Sequence, residues 1–457
     1  MDFLGPILAL MRALGSPQTA VLAGFGGVIL VGALALSLPW SHVPGKVSFL
    51  DAMFTSTSAV CVTGLTVVDT AGDFTFIGQV IIVVLIQIGG LGVMTFAAVA
   101  YQMAGRRMSL QSQALIGDTF FQRNAATEFR SSFRTILVIT LLTEGGGAVL
   151  LYFFLMRRTD DSPALFSSIF HSVSAFCNAG FSIRTDNLVA YRDSPGFLVV
   201  IMVLIVLGGL GYIVLHELWR FFVRKASRKG EHVVREFSLH ARVVLVVSSV
   251  LIVGGTAMII ILGVTPAESS WADKVLHASF QSVSARTAGF NSCDVGKLPA
   301  ASLSILIILM FIGGSPASCA GGVKTSTVAV WLAELKAGVR GEREVHLLDR
   351  RLSQDLLNRS HCLLALAVLW NTVGILLLMT TETWAQTRPL DIIFEQISAF
   401  GTVGLSTGVT PTLSPVGKLW IIATMYVGRL GPLTIALWMF PGRTVKVGYP
   451  KGSVMIG

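Results

Sequence analysis

TSTSAVCVTGL, residues Thr55 to Leu65, decides how this chain is read, because the phrase returns three more times. The other copies are HSVSAFCNAGF (His171 to Phe181), QSVSARTAGF (Gln281 to Phe290) and EQISAFGTVGL (Glu395 to Leu405). Their glycines, Gly64, Gly180, Gly289 and Gly404, are 116, 109 and 115 residues apart. That is too long for a solenoid repeat and implies four copies of a larger unit. A second phrase follows each glycine by 24 to 28 residues: Gly89-Gly90-Leu91-Gly92, Gly208-Gly209-Leu210-Gly211, Gly313-Gly314-Ser315 and Gly428-Arg429-Leu430-Gly431. Two phrases in register, four times over, describe one duplicated architecture.

The units belong in a bilayer. Of 457 residues, 53% are hydrophobic and 13% charged, against about 25% charged in an ordinary soluble domain. Eight apolar stretches approach the roughly 20 residues needed to cross hydrocarbon: 20–39, 76–104, 133–156, 195–222, 241–264, 303–335, 360–380 and 415–440. Each Ser-Ala phrase lies between the members of a pair and closes a shorter apolar stretch, the length of a re-entrant helix. The expected organisation is an N-terminal segment 1–19, repeat 1 over 20–104, a connector 105–132, repeat 2 over 133–222, a connector 223–240, repeat 3 over 241–335, a connector 336–359, repeat 4 over 360–441 and a tail 442–457.

Lys and Arg give the orientation, since cytoplasmic loops are enriched in them. Of the 34, 22 fall in the two termini and in the stretches 105–134, 219–242 and 336–360 between repeats, which are therefore expected to be cytoplasmic. Ten lie on the side of the re-entrant loops, Arg157 and Arg158 among them, offset by Asp160 and Asp161; only Lys324 and Arg429 are left at membrane depth. This bias accounts for the net charge of +9 without nucleic acid, for which no helix-turn-helix, zinc or aromatic-basic motif is present. Cys61, Cys177, Cys293, Cys319 and Cys362 are scattered with no C-x-x-C pair, and read as small hydrophobes rather than disulfides or metal ligands. The opening MDFLGPILALMRALGSPQ has an acidic second residue and makes a poor signal peptide; a short interfacial helix fits it better.

Units that enter and leave on one side are related by an axis along the membrane normal. Four of them around one axis make an all-α polytopic protein of pseudo-fourfold symmetry, with eight transmembrane helices, four re-entrant pore helices and a central pore. Irregular backbone is tolerated at that depth only when buried or lining a cavity. Beside the glycines stand Val62 and Thr63, Asn178 and Ala179, Thr287 and Ala288, and Thr402 and Val403, with no carboxylate among them. A cation there must be held by backbone carbonyls, as in a carbonyl selectivity filter, with the negative ends of the pore-helix dipoles adding to its field. The ligand implied is monovalent.

With these residues in view, the chain resembles the Ktr/Trk/HKT superfamily of potassium transporters, most closely the Ktr membrane (KtrB-type) subunit. The ordered set VTGL, NAGF, TAGF and TVGL carries the likeness, which covers nearly the whole chain. It implies a filter formed by the twelve residues around Gly64, Gly180, Gly289 and Gly404 that are named above. The run from Gly313 to Thr327 holds a proline, four glycines and small polar residues, so no continuous helix survives there. On residues alone this is either a kink packed between helices or something functional. The resemblance implies an intramembrane gate loop, 313–327, with Gly313, Gly314, Ser315, Pro316, Ala317, Ser318, Gly321, Gly322, Lys324 and Thr325 in or beside it. It also implies that Arg429, which replaces a glycine of the second phrase, hydrogen-bonds to the closed loop and sets positive charge in the cation's path.

The same resemblance implies a homodimer in a bacterial inner membrane, seated on a cytoplasmic ring of nucleotide-binding (RCK-type) regulatory subunits. ATP or ADP would be held there rather than on this chain, which has no phosphate loop following a strand. No cofactor is expected on this chain; the cargo is K+, with Na+ stimulating in the Ktr branch. Glu144, a lone acid within TEGGG, is open to packing against a neighbouring unit or to direct ion contact. Asp69, Asp186 and Asp294 follow three of the filter glycines and either concentrate cations at the outer mouth or are solvated loop residues. An intramembrane enzyme would need a nucleophile and base or a second acidic cluster, which the chain lacks. A secondary transporter of an organic solute is the better rival, though four equivalent carbonyl loops suit an asymmetric substrate poorly.

Overall fold

The computed structural model describes residues 17–103, 129–157, 163–226, 237–263, 270–382 and 388–439. The expected interfacial helix at the N-terminus, the Asp160-Asp161 pair, the tail and most of connectors 105–132 and 223–240 lie outside the described residues. What is described is almost wholly helical, apart from a two-residue hairpin, β1 (His346–Leu347) and β2 (Arg350–Arg351), in the third connector.

Each repeat is a long outer helix, a short pore helix and an inner helix. The outer helices are α1 (Pro17–Leu36), α4 (Phe129–Leu155), α8 (Leu239–Leu262) and α12 (Gln354–Thr381). The pore helices are α2 (Phe49–Val60), α5 (Ala164–Phe176), α9 (Trp271–Ser284) and α13 (Pro389–Gly401). Serine starts two of the pore helices. Ser48 accepts from the Asp51 amide and its own amide donates to the Asp51 carboxylate in return, and Ser270 accepts from the Asp273 amide, so that amides with no intrahelical partner are satisfied.

The inner helices differ. In repeat 1, α3 runs unbroken from Phe76 to Met103. Repeat 2 has α6 (Pro195–Leu210) and α7 (Tyr212–Ala226), with a 107° bend at the break. Repeat 3 has α10 (Ala300–Phe311) and α11 (Thr325–Arg340), joined by the irregular segment 312–324. Repeat 4 has α14 (Pro415–Leu430) and α15 (Pro432–Met439). The apolar stretches 195–222 and 415–440, each expected as one span, are not continuous helices: both break at the last glycine of the second phrase. Gly211 (φ 83°) and Gly431 (φ 87°) sit in backbone conformations that side chains resist.

The four repeats close on themselves. Each inner helix packs on the next pore helix: α3 on α5, α6 on α9, α10 on α13, and α14 back on α2. The seam between repeats 4 and 1 is tied by Lys418 Nζ to Asp51 Oδ1 at 2.8 Å and by the Tyr426 hydroxyl, which donates to the Leu22 carbonyl at 2.5 Å.

Polarity runs opposite to that of a water-soluble bundle. Leu30, Val31, Leu141, Val149, Val250, Val253, Leu369 and Leu376 stand exposed on the outer helices, while Ser56, Ser172, Ser282, Gln396, Glu395 and Arg429 are buried. A soluble protein rarely exposes an apolar belt of this extent. Three described helices are long and apolar enough to cross a membrane, Thr135–Leu155, Leu239–Leu262 and Gln354–Thr381, and the bent pair of repeat 2 qualifies when taken together.

Candidate functional site

The pore helices all stop in the same way. One to three residues past the helix end, the backbone turns left-handed, at Val62 (φ 55°), Asn178 (φ 59°), Thr287 (φ 70°) and Thr402 (φ 48°), and does so again at each loop glycine. For β-branched Val and Thr that region is an outlier. It costs on the order of 1–3 kcal/mol per residue and persists only where the surroundings impose it.

The imposing contacts are repeated too. The amides of Thr63, Ala179, Ala288 and Val403 donate back to the carbonyls of Ser58, Ser174, Ser284 and Ser398 at 2.7 to 2.9 Å. The same serines use their hydroxyls on the far side of the turn. Ser174 donates to Phe181 (2.8 Å), Ser398 to Leu405 (2.7 Å) and Ser284 to Phe290, while Ser58 and Ser398 accept from the amides of Gly64 (3.0 Å) and Gly404 (3.1 Å). With amides turned into the pore helix, the carbonyls of Thr63, Ala179, Ala288 and Val403 accept no hydrogen bond among the described residues.

Those four carbonyls meet in a ring. A Cβ on Gly64 would collide with the Ala179 oxygen, one on Gly180 with Ala288, one on Gly289 with Val403, and one on Gly404 with Thr63. Glycine is therefore required twice over, by a positive φ and by the neighbouring backbone. The hydroxyls of Thr63 and Thr402 are buried there without partners, and Asn178 reaches Thr287 at 3.3 Å. All twelve residues named for the filter thus come together around the ring.

Segment 312–324 crosses directly beside it. The amides of Ser315 and Cys319 donate to the carbonyls of Gly209 (3.1 Å) and Gly208 (3.4 Å), and the Gly322 amide donates to Gly428 (3.3 Å). Gly321 packs on the Thr402 side chain and Gly322 on Gly401. The segment thus touches the second phrase of repeats 2 and 4. Arg429 completes the set: it donates through Nη1 to the Cys319 carbonyl and through Nη2 to Gly89 of repeat 1 at 2.5 Å. It is 5% exposed. Lys324 lies within the crossing and donates to the carbonyls of Ala320 (2.5 Å) and Gly321 (3.5 Å). Pro316, Ala317 and Ser318 form its turn, with Ala317 left-handed (φ 58°) and Ser318 bonded to the Ser315 carbonyl at 2.6 Å. Thr325 opens α11 against Ser315.

The acids sort differently. Glu144 packs toward repeat 1, accepting from Gln87 at 3.3 Å, and lies 3.7 Å from the Cys177 thiol. Asp69 accepts from the Thr185 hydroxyl at 2.7 Å, Asp294 pairs with Lys297 at 3.0 Å, and Asp186 is exposed.

Several residues escaped the sequence reading. Sequence alone assigns the serines no role, although their fixed place ahead of each glycine marks them. The first residue of the phrase is buried in every copy, and in three it braces the strand leaving the ring: His171 to Ser182 (3.0 Å), Gln281 to Cys293 (3.2 Å), and Glu395 to Ser406, Thr407 and Thr410. Arg286, expected among the exterior loops, is instead 8% exposed and bonded to Ser248, and joins Arg429 as a buried cation among the described residues. Nothing local in the sequence distinguishes it from a loop arginine.

A fourfold helical ring around one axial point, crossed by an irregular segment, defines a membrane transport architecture rather than an enzyme site. Residues 31–441 match the TrkH cation transport protein family, and the chain belongs to that family. It is 36% identical over 454 residues to Ktr system potassium uptake protein B of Vibrio alginolyticus, covering 98% of this chain and 96% of the relative. It is 34% identical over 450 residues to the potassium/sodium uptake protein NtpJ of Enterococcus hirae, covering 97% of each. The fold matches the crystal structure of the potassium transporter TrkH from Vibrio parahaemolyticus, with TM-score 0.71, 20% identity, and 94% and 86% of the two chains covered.

Proposed function

We propose that this chain is the pore-forming membrane subunit of a Ktr-type potassium uptake system, with eight membrane-crossing segments, four re-entrant pore helices and both termini in the cytoplasm. The observation that carries the reading is the closed ring of glycines and unbonded carbonyls from all four repeats. Such oxygens replace the hydration shell of a dehydrated cation at no cost in lost backbone bonds. Relatives named for potassium and for potassium/sodium uptake support a monovalent alkali cation as cargo.

Segment 313–327 with Arg429 is the gate in this reading. The three backbone bonds to Gly209, Gly208 and Gly428 are worth about 1 kcal/mol each, and the two arginine bonds about 1.5–3 each. Opening therefore costs several kcal/mol, within the range that a regulatory subunit binding one state more tightly can supply. That subunit is a cytoplasmic nucleotide-binding ring, and the membrane subunit works as a homodimer in a bacterial inner membrane; both rest on the family resemblance.

The test is growth rescue of a potassium-uptake-deficient bacterium at limiting potassium, paired with Rb+ uptake into liposomes. Rescue that is lost in Gly289→Ser is expected. Rescue that survives this substitution, or amino-acid or sugar flux without Rb+ flux, would overturn the filter in favour of an organic-solute transporter.

A further inference from the structure

Two of the five cysteines meet across the candidate gate. Cys177 caps the C-terminus of α5 and immediately precedes Asn178 in the ring; Cys319 is in the middle of the crossing segment. They come from different repeats, yet their sulfurs lie against the same residue, Gly90. Both sulfurs crowd Gly90 of repeat 1. A Cβ there would stand 2.6 Å from the Cys177 sulfur and 3.7 Å from that of Cys319, whose thiol also donates to the Gly90 carbonyl at 3.6 Å. Both are reduced and buried, and Arg429 holds the Cys319 carbonyl while Lys324 holds that of Ala320.

We infer that Cys177 and Cys319 form a two-thiol modification site, at which oxidation joins the crossing segment to the second pore helix and stops ion flow. The inference rests on the reading of 313–327 as the gate. Hydrogen peroxide, small enough to enter a cation path, is the oxidant. One cysteine attacks as its thiolate, breaking the O–O bond to leave a sulfenic acid and, after protonation, one water. The second sulfur displaces the sulfenic oxygen as another water and forms the S–S bond. Two thiols and one peroxide thus give one disulfide and two waters. Only noncovalent bonds hold the segment across the axis otherwise, so a covalent link fixes its position outright.

The full chain in liposomes, assayed by Rb+ uptake before and after peroxide and again after dithiothreitol, tests this. The expected result is loss of uptake, recovery on reduction, and one linked peptide pair containing Cys177 and Cys319 by mass spectrometry. Cys177→Ser and Cys319→Ser, each compared with its own unoxidised flux, should no longer respond. Absence of the linked peptide overturns the site and leaves the gate reading intact. A linked peptide with undiminished flux overturns the lock and the gate assignment together. Loss of flux that persists in both serine variants places the sensitive group elsewhere and overturns the inference.

Discussion

The loops at the glycine ring and the inner-helix breaks one layer away were built from the same fourfold duplication, and they have diverged to very different degrees. At the ring, all four copies keep a left-handed residue, a left-handed glycine and a serine brace. One layer away, the four copies of the second phrase have three different outcomes. Repeat 1 continues as helix through Gly92, repeats 2 and 4 break at Gly211 and Gly431, and repeat 3 opens into an irregular segment. Equivalence is kept where four backbones must present the same oxygen to one point. It is abandoned where a single element has to occupy the axis.

The largest test of that contrast strikes the ring. Gly404→Ala puts a Cβ into the Thr63 carbonyl at φ 92°. Overpacking against rigid backbone and left-handed strain together exceed about 2 kcal/mol, and Rb+ uptake by the folded protein should be abolished.

Breaking the asymmetric layer should act in the opposite direction. Arg429→Ala removes the bonds to Cys319 and Gly89, and uptake is expected to rise about tenfold or more, given about 1.5–3 kcal/mol for each charge-assisted bond. Unchanged flux and regulation in that variant would remove the arginine from the gate. Ser398→Ala is expected to be intermediate. It deletes the bonds to Leu405 and Gly404, should cost about 1–3 kcal/mol of stability, and should lower the Rb+ to Na+ flux ratio more than total flux.

The smallest effect sharpens the comparison best. Gly92→Ala meets nothing closer than Phe25 at 3.4 Å in a continuous helix, and thermal stability should hold or rise by up to about 1 kcal/mol. At the matching position, Gly211→Ala would strain a φ of 83° and strike the Pro316 carbonyl. It should lower the melting temperature, and the same substitution thus has opposite signs in two copies of one phrase.

The ring was legible because it is made of backbone. Its geometry depends on glycines and small residues at fixed intervals, and those recur in the sequence. The breaks at Gly211 and Gly431 were not legible, because a lone glycine costs a helix only about 1 kcal/mol. Gly92, in the same phrase, shows that it need not break one. The acceptors of Arg429, the burial of Arg286 and the meeting of Cys177 with Cys319 arise between repeats. Each depends on which helix stands opposite, and no local pattern carries that information.

The seam between repeats 4 and 1 bears on how the protein is made. Lys418 to Asp51, Tyr426 to Leu22 and Arg429 to Gly89 join residues separated by 340 to 404 positions. Contacts of such separation form last. During synthesis the first repeat must wait, Asp51 and the carbonyls of Leu22 and Gly89 without their final partners, until nearly the entire chain has emerged. The ring of four carbonyls is therefore the last part of the fold to close, and a nascent chain stopped short of repeat 4 lacks it.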